Sequence, residues 1–195
     1  MPYRFLALLA ALYASAITTP LHAQGASASP LESAEAALKK NAAKILMRFA
    51  STAKSRKYGQ KEKAAYELIL NSYNSNDKRA RRALNYKMEA KEWKLIAPKK
   101  RRTWVDKADR KGRFQIQQEW RKARLKLCEE HQNLGLEMLK GGNDFLARGK
   151  AHLRQAIQYN PMDKVSHLAL GHKPTKINGV EYYGTDTEVS FINRM

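Results

Sequence analysis

The sequence predicts an all-α protein of stacked helical hairpins that ends in a short C-terminal β-hairpin. Apolar residues recur at steps of three and four through most of the chain, which is the spacing of amphipathic helices. Glycine and proline are sparse, with 10 and 6 residues among 195, and this argues against a turn-rich all-β fold. One stretch of sequence recurs about 86 residues later, which indicates two degenerate copies of a helical unit. Apolar residues make up 43% of the chain, so a folded core is expected.

The N-terminal segment 1–23 has the three-part pattern of a secretory signal peptide. Arg4 supplies the positive charge, residues 5–17 are uncharged and rich in Leu and Ala, and Ala23 provides a small residue before Gln24. The alternative is a membrane anchor, but the 13 residues of this run fall short of the roughly 20 that span a bilayer. We therefore expect an exported protein, periplasmic or extracellular, that is not an integral membrane protein after cleavage.

Residues 24–96 are predicted to hold the first helical hairpin copy. A helix begins at Ser29-Pro30-Leu31-Glu32, because Ser29 and Glu32 match a capping box and proline suits the first turn. Its apolar stripe extends to about Gly59 and comprises Leu38, Ala42, Ile45, Phe49 and Ala53. A second helix is predicted over 61–73, and a third over 77–92 after a polar turn.

Residues 97–112 are predicted to form an exposed basic linker with Trp104 as its aromatic anchor. Residues 113–173 then hold a long helix, which ends at Gly141-Gly142, and the second hairpin copy, which ends at Gly171. The apolar stripe of the long helix comprises Trp120, Ala123, Leu127, His131, Leu134 and Met138. The tail, 174–195, is predicted as a β-hairpin because Asn178-Gly179 lies between β-branched residues.

The internal repeat is clearest where residues 73–87 are compared with residues 159–173. Seven of these fifteen positions are identical. The shared residues of the first copy are Tyr73, Asn74, Asp77, Lys78, Ala83, Leu84 and Lys87. Each copy is therefore predicted to contain a helix, a capped turn and a second helix, followed by an aromatic segment.

The second copy resembles tetratricopeptide repeats, a family whose pattern spans 34 residues. The matching positions are Leu134-Gly135, Gly149, Leu153, Ala156, Pro161 and Leu170-Gly171. The ending, with Leu-Gly, basic residues and then Asn-Gly-aromatic, is similar to exported tetratricopeptide-like proteins of planctomycete-type bacteria. The first copy departs from the pattern, because Ser75 replaces the proline and Asn85 replaces the glycine. The resemblance implies a stack of hairpins that recognises another chain, and an ordinary helical bundle is the alternative.

Residues able to carry chemistry are few and poorly grouped. Cys128 and His131 lie on one face of a helix but lack a companion pair of ligands. His167 and His172 lie on either side of Gly171 and need not share a face. Ser166 and His167 are neighbours on a helix and so do not face each other. We expect no catalytic residues, no metal site and no cofactor.

The strongest functional signal is the clustering of positive charge. The chain carries 37 Lys and Arg against 18 Asp and Glu, a formal net charge of +19. The residues that we predict to attract polyanions are Lys78, Arg79, Arg81, Arg82, Lys99, Lys100, Arg101, Arg102, Arg121 and Lys122. Trp93, Trp104 and Trp120 interleave with them, an arrangement that also occurs in single-stranded nucleic-acid binding. A solvated face with tryptophans in the core explains the same pattern.

These patterns favour an exported, non-catalytic binding or scaffold module that recognises another protein. The alternative is a basic polyanion-binding protein for an acidic glycan or an anionic membrane surface, and nucleic acid fits export less well. A third interpretation is the helical part of an enzyme whose catalytic part is another chain.

The export hypothesis gives a direct prediction. Residues 1–23 should be absent from the native protein, because the apolar run is too short to span a membrane and ends at a small residue. Intact-mass analysis of protein from the source organism measures this. A native chain that begins at Met1 would contradict it.

Overall fold

The computed structural model of the chain describes residues 29–97, 102–177 and 179–185. The predicted signal peptide and the basic residues Lys99, Lys100 and Arg101 lie outside the described residues. Among the described residues, no helix is both long enough and apolar enough to cross a membrane.

The chain forms two units with the same order of elements. Each has a long helix, a second helix, a one- to two-turn helix and a two-stranded antiparallel hairpin. The first unit comprises α1 (Pro30–Ser55), α2 (Gly59–Leu68) with a π-helical turn (Ile69–Tyr73), α3 (Lys78–Ala83), β1 (Tyr86–Glu89) and β2 (Glu92–Leu95). The second unit comprises α4 (Arg110–Lys140), α5 (Asn143–Tyr159), α6 (Lys164–Ala169), β3 (Lys173–Ile177) and β4 (Val180–Gly184). The mostly helical class and the C-terminal strand pair agree with the sequence prediction.

The helix starts follow local side-chain chemistry. Ser29 and Glu32 form the predicted capping box, with the Glu32 amide donating to Ser29 Oγ and the Ser29 amide donating to Glu32. The helix α4 begins at Arg110, three residues before the predicted start at 113, because Asp109 accepts from the Gly112 amide at 2.7 Å. Gly112 is therefore part of the first turn and does not break it.

The predicted third helix over 77–92 is wrong beyond Ala83. The helix ends because Asn85 adopts a left-handed conformation with φ 68°, and residues 86–95 form the hairpin β1–β2. The hairpin folds back on α3, where the Arg81 guanidinium lies 5.7 Å from the ring centres of both Tyr86 and Trp93. The helical spacing of apolar residues in this stretch did not decide the structure, since this tertiary contact favours strands.

The two units meet along α1 and α4, which run antiparallel. Leu31 at the start of α1 lies against Gly141, and Phe49 near its end packs on Trp120 with ring centres 4.8 Å apart. Between these contacts, Asn41 donates to Glu130 at 3.4 Å. The buried apolar side chains of both helices belong to one hydrophobic core.

The buried positions of the two units correspond residue by residue. Adding 85 to the numbers of the six buried residues of α1 gives six buried residues of α4, namely Ala123, Leu127, His131, Leu134, Gly135 and Met138. Adding 87 takes Glu62, Tyr66 and Ile69 to the buried Gly149, Leu153 and Ala156. The offset is 86 at Tyr73 and Tyr159, because the π-helical turn of the first unit holds one extra residue.

The arrangement differs from the tetratricopeptide-like stack that the sequence suggests. Successive solenoid repeats are related by a small rotation, so equivalent helices run nearly parallel, whereas α1 and α4 run antiparallel. These helices have 26 and 31 residues, so each nearly matches a whole 34-residue repeat in length. The local small-residue contact does form, since a Cβ atom at Gly135 would lie 3.0 Å from the Gly149 carbonyl oxygen.

This packing makes Leu153 a test of the core. Its side chain is fully buried, with 0% exposure, against Gly135. Leu153→Ala should lower the free energy of unfolding by about 2–5 kcal/mol, because it leaves a cavity between α4 and α5. Urea unfolding followed by circular dichroism measures this. Leu168→Ala is the matched control, since Leu168 is exposed, and equal losses in the two variants would contradict the packing.

Candidate functional sites at equivalent positions

Features that the two units share identify what the fold requires. Asp77 caps α3 through the Arg79 and Ala80 amides, and Asp163 caps α6 through the Ser166 amide. Asn85 and Gly171 each end the short helix in a left-handed conformation, with φ 68° and 81°. Positions where the units differ are free of this requirement and are the candidates for function.

One shared contact joins the two units directly. Tyr73 and Tyr159 occupy equivalent positions, and their hydroxyl oxygens lie 2.6 Å apart in the core. Burial raises the pKa of Tyr73, and the hydrogen bond with Tyr159 adds to this shift. The pair therefore remains protonated and closes the interface between the units.

A pair of histidines extends this contact in the second unit alone. His131 Nε2 lies 3.0 Å from the Tyr73 hydroxyl, and His131 Nδ1 lies 3.0 Å from His152 Nδ1. The equivalent residues of the first unit are the apolar Leu46 and Ala65, so the fold does not need imidazoles here. Burial, with a smaller contribution from His152, lowers the pKa of His131 to about 4.

Cys128 and His131 are both buried in the core. Burial raises the pKa of the Cys128 thiol to about 11, which disfavours the thiolate that binds metals. Among the described residues, no group of three or more His, Cys, Asp or Glu side chains is arranged to hold a metal ion.

A buried ion pair joins α2 of the first unit to the linker. Glu62 is 1% exposed and binds Arg102 through two contacts of 2.8 and 2.6 Å. The Arg102 guanidinium also lies 4.3 Å above the centre of the Trp104 ring. The equivalent of Glu62 in the second unit is Gly149, so this pair is again an addition to the shared fold.

The ion pair changes the interpretation of the basic linker. Its described part is attached to α2, since the Gln60 amide donates to Asp106 at 2.8 Å and the Gln60 side chain donates to the Trp104 carbonyl at 2.7 Å. Arg102 was expected on an exposed linker as part of a polyanion surface, but its guanidinium is held by Glu62. Replacing it would leave a buried carboxylate without its partner.

The other predicted cationic residues fall into two groups. Lys78, Arg79 and Arg82 are exposed on α3, and Arg121 is exposed on α4. Arg81 is engaged, because its Nε donates to the Ser75 carbonyl at 2.7 Å and its guanidinium stacks on the hairpin. Lys122 pairs with Glu119 at 2.8 Å. The structure therefore brings the three exposed residues of α3 together on one short helix. Arg102 lies near the end of this helix, since its amide donates to Asn85 Oδ1 at 2.7 Å, but its guanidinium is bound to Glu62.

The exposed faces of the two short helices carry opposite chemistry. In the second unit Met162, Val165 and Leu168 are 53%, 47% and 47% exposed. Val165 and Leu168 lie one turn apart on α6, and Met162 lies in the turn just before the capping residue Asp163. We call these three residues the apolar face. The equivalent residues of the first unit, 86 positions earlier, are Asn76, Arg79 and Arg82. Sequence analysis missed this contrast because it assigned no role to Met162, Val165 or Leu168.

The contacts that join each short helix to the hairpin after it also differ between the units. His167 Nδ1 lies 2.7 Å from His172 Nδ1, and His167 Nε2 donates to the Pro161 carbonyl at 2.9 Å. Their counterparts 86 positions earlier are Arg81 and Tyr86. His167 also stacks on Tyr183 with ring centres 5.1 Å apart. Sequence reasoning did not bring the two histidines together, because the left-handed turn at Gly171 reverses the chain between them.

Comparison of the chain with protein-family models, with curated proteins and with solved structures returned no match. The functional argument therefore depends on the geometry of the two units.

The buried histidine pair predicts acid sensitivity. The pKa of His131 is about 4 in the folded chain, below its ordinary value of 6.5. The unfolded chain therefore takes up more protons below pH 6.5, so stability that is present at neutral pH is lost as the pH falls from 6.5 towards 4. The protonation of His131 should lower the free energy of unfolding by about 3 kcal/mol over this pH range.

The control for this prediction comes from the chain itself. The double variant His131→Leu with His152→Ala places the residues of the first unit at both positions, and Tyr73 keeps its bond to Tyr159. Urea unfolding at pH 7.5, 6 and 4.5 should show a shallower pH dependence for this variant. Identical slopes for variant and native chain would refute the assignment.

Proposed function

We propose that the protein is an exported, non-catalytic binding module that recognises an acidic partner protein through the apolar face of α6. The observation that carries this proposal is the contrast at equivalent positions. Met162, Val165 and Leu168 are exposed where the first unit has Asn76, Arg79 and Arg82. Because the same local fold forms with polar residues there, the apolar residues of α6 are not needed for folding.

The exposure of two apolar side chains on α6 and one in the turn before it is unfavourable unless another surface covers them. Burial of apolar surface contributes about 25 cal/mol per Å². Grouped exposed apolar residues are typical of interaction sites in soluble proteins. A partner that covers all three would gain this energy without any rearrangement of α6.

The charge around the apolar face favours an acidic partner. The whole chain has a net charge of +19, so its long-range field attracts negative surfaces. Lys164 lies within α6, while the nearby Asp163 is engaged by the Ser166 amide and by the Gln132 side chain at 2.8 Å. An apolar contact surrounded by carboxylates on the partner would complement both features.

The second candidate function, polyanion binding, is favoured by α3. Lys78, Arg79 and Arg82 are exposed on that helix, and we call them the cationic face. They suit an acidic glycan or an anionic membrane surface, with Arg121 and the linker residues Lys99, Lys100 and Arg101 as further contributors. Arg102 is left out of this set because Glu62 holds it.

Exchange of residues between the units tests the main proposal. The α6 variant is Met162→Asn with Val165→Arg and Leu168→Arg, and the control is the reverse exchange on α3, Asn76→Met with Arg79→Val and Arg82→Leu. Immobilised native chain and both variants are incubated with the exported protein fraction, and captured proteins are quantified by mass spectrometry. We expect the native chain and the α3 variant to capture acidic proteins. The α6 variant should capture at least tenfold less of the same proteins.

Two outcomes oppose the main proposal. Equal capture by the native chain and the α6 variant would exclude the apolar face as the binding surface. Binding to heparin or to anionic vesicles that disappears in the α3 variant, with a steep dependence on salt, would support the polyanion function instead. Capture through the apolar face should fall less steeply between 50 and 300 mM salt than polyanion binding does, because apolar burial does not release counterions.

A further inference from the structure

We propose that the outward side of α4 docks on an anionic lipid bilayer and lies along its surface. The side chains that carry this proposal are exposed and share one side of the helix. We call them the amphiphilic face of α4, and they are Arg110, Lys111, Phe114, Arg121 and Leu125. The inference goes beyond partner recognition through α6, and it shares only Arg121 with the cationic residues of the second candidate function.

The helical repeat places the two apolar residues of this face in line. Phe114 and Leu125 are 11 residues apart, which is close to three turns. They therefore lie about 16 Å apart along α4 and about 20° apart around its axis. Arg121 lies between them, and Arg110 and Lys111 come one turn before Phe114. Phe114 is 61% exposed and Leu125 is 48% exposed, so both side chains face solvent and not the core between α1 and α4.

The first part of this face is an extension beyond the shared fold. With the offset of 85 between the long helices, Pro30 at the start of α1 corresponds to Gln115, so Arg110–Phe114 has no helical counterpart. The first turn of this extension carries three cationic residues and no acidic one. Cations there oppose the helix dipole, whose positive end is at the N-terminus. Helix stability therefore does not explain this choice of residues.

The rest of the face also differs from its counterpart. Leu125 corresponds to Lys40, which is exposed, and Arg121 corresponds to Ala36. The first unit thus forms the same long helix with a lysine where the second unit exposes a leucine. Because the fold does not depend on an apolar residue at this position, Leu125 is a candidate for contact with a partner.

The charge of this stretch favours a negatively charged surface. Residues 110–126 contain seven Lys and Arg and one acidic residue, Glu119, which pairs with Lys122 at 2.8 Å. Anionic lipids attract basic residues near a bilayer surface, and each such residue contributes about fivefold in affinity. Two copies of this face would repel each other, so a second copy of the chain is not the occupant.

The combination of cations with apolar residues favours a bilayer over a soluble polyanion. An acidic glycan offers only hydrated charge, which leaves Phe114 and Leu125 uncovered. A bilayer offers phosphate oxygens to Arg110 and Arg121 and, slightly deeper, acyl chains to the two apolar side chains. Helices that lie in a membrane interface have this pattern, with Lys and Arg beside exposed Phe and Leu.

Vesicle binding by the native chain tests the charge requirement. Sedimentation compares vesicles of phosphatidylcholine alone with vesicles that also contain phosphatidylglycerol, and we expect at least tenfold tighter binding to the anionic ones. Arg110→Gln with Lys111→Gln should weaken this binding at least tenfold, because each cation contributes about fivefold. Arg79→Gln with Arg82→Gln is the matched control. It removes the same charge from α3 and should weaken binding less than threefold.

An exchange of the apolar residues separates insertion from simple charge attraction. Phe114→Ser with Leu125→Lys supplies the residues of the first unit, Ser29 and Lys40, and raises the net charge by one. Binding that includes apolar insertion should fall at least tenfold, whereas charge attraction alone would make it tighter.

Three results would overturn the proposal. These are equal binding to neutral and anionic vesicles, equal losses in the α3 and α4 charge variants, and unchanged or tighter binding after the apolar exchange. The last result would assign the face to a soluble polyanion such as heparin. Circular dichroism verifies that each variant is folded, and Phe114→Gln with Leu125→Gln replaces the apolar exchange if that variant fails to fold. Protein capture through α6 is measured with the same variants and should not change, so the two proposals can fail independently.

Discussion

The antiparallel packing of α1 on α4 is the contact on which the rest of the structure depends. Each helix is also one arm of a hairpin, so joining these two helices fixes the positions of α2 and α5 and of the short helices behind them. Tyr73 and Tyr159, equivalent residues at 2.6 Å, then meet where the two units face each other. Antiparallel helices and a contact between equivalent residues together indicate an approximate twofold axis. The chain is therefore a closed pair of units, and this arrangement does not extend into a solenoid.

Because two units share one fold, a comparison of their equivalent positions separates the residues that the fold requires from those that it does not. Residues that make the fold, such as the capping residues Asp77 and Asp163, recur in both units. Residues that the fold does not require differ: the first unit has the Glu62–Arg102 pair and the cationic face, and the second has two histidine pairs and the apolar face. This division separates structural from functional candidates within one sequence. It explains how a single small protein presents two surfaces of opposite chemistry.

Charge acts differently at long and short range in this molecule. The net charge of +19 sets a field that attracts negative partners from a distance. At short range several basic side chains are already occupied: Arg102 by Glu62, Arg81 by a carbonyl and two rings, and Arg148 by Glu35. Exposed basic residues lie on α1, α3 and α4, while α6 offers apolar contact. Under the proposed function, long-range attraction and specific docking are carried out by different parts of the surface.

The sequence by itself determined the helical class, the capping box at Ser29, the repeat near 86 residues and the C-terminal hairpin. These depend on hydrogen bonds a few residues apart or on apolar periodicity, both of which are written in consecutive residues. Only the tertiary structure decided that α3 ends at Ala83, that α1 and α4 run antiparallel, and that Arg102 meets Glu62 and His167 meets His172. Such contacts join residues brought together by chain reversal and packing, with 40 positions between Glu62 and Arg102. No local pattern encodes them, because the direction in which two amphipathic faces pack is set by the whole core.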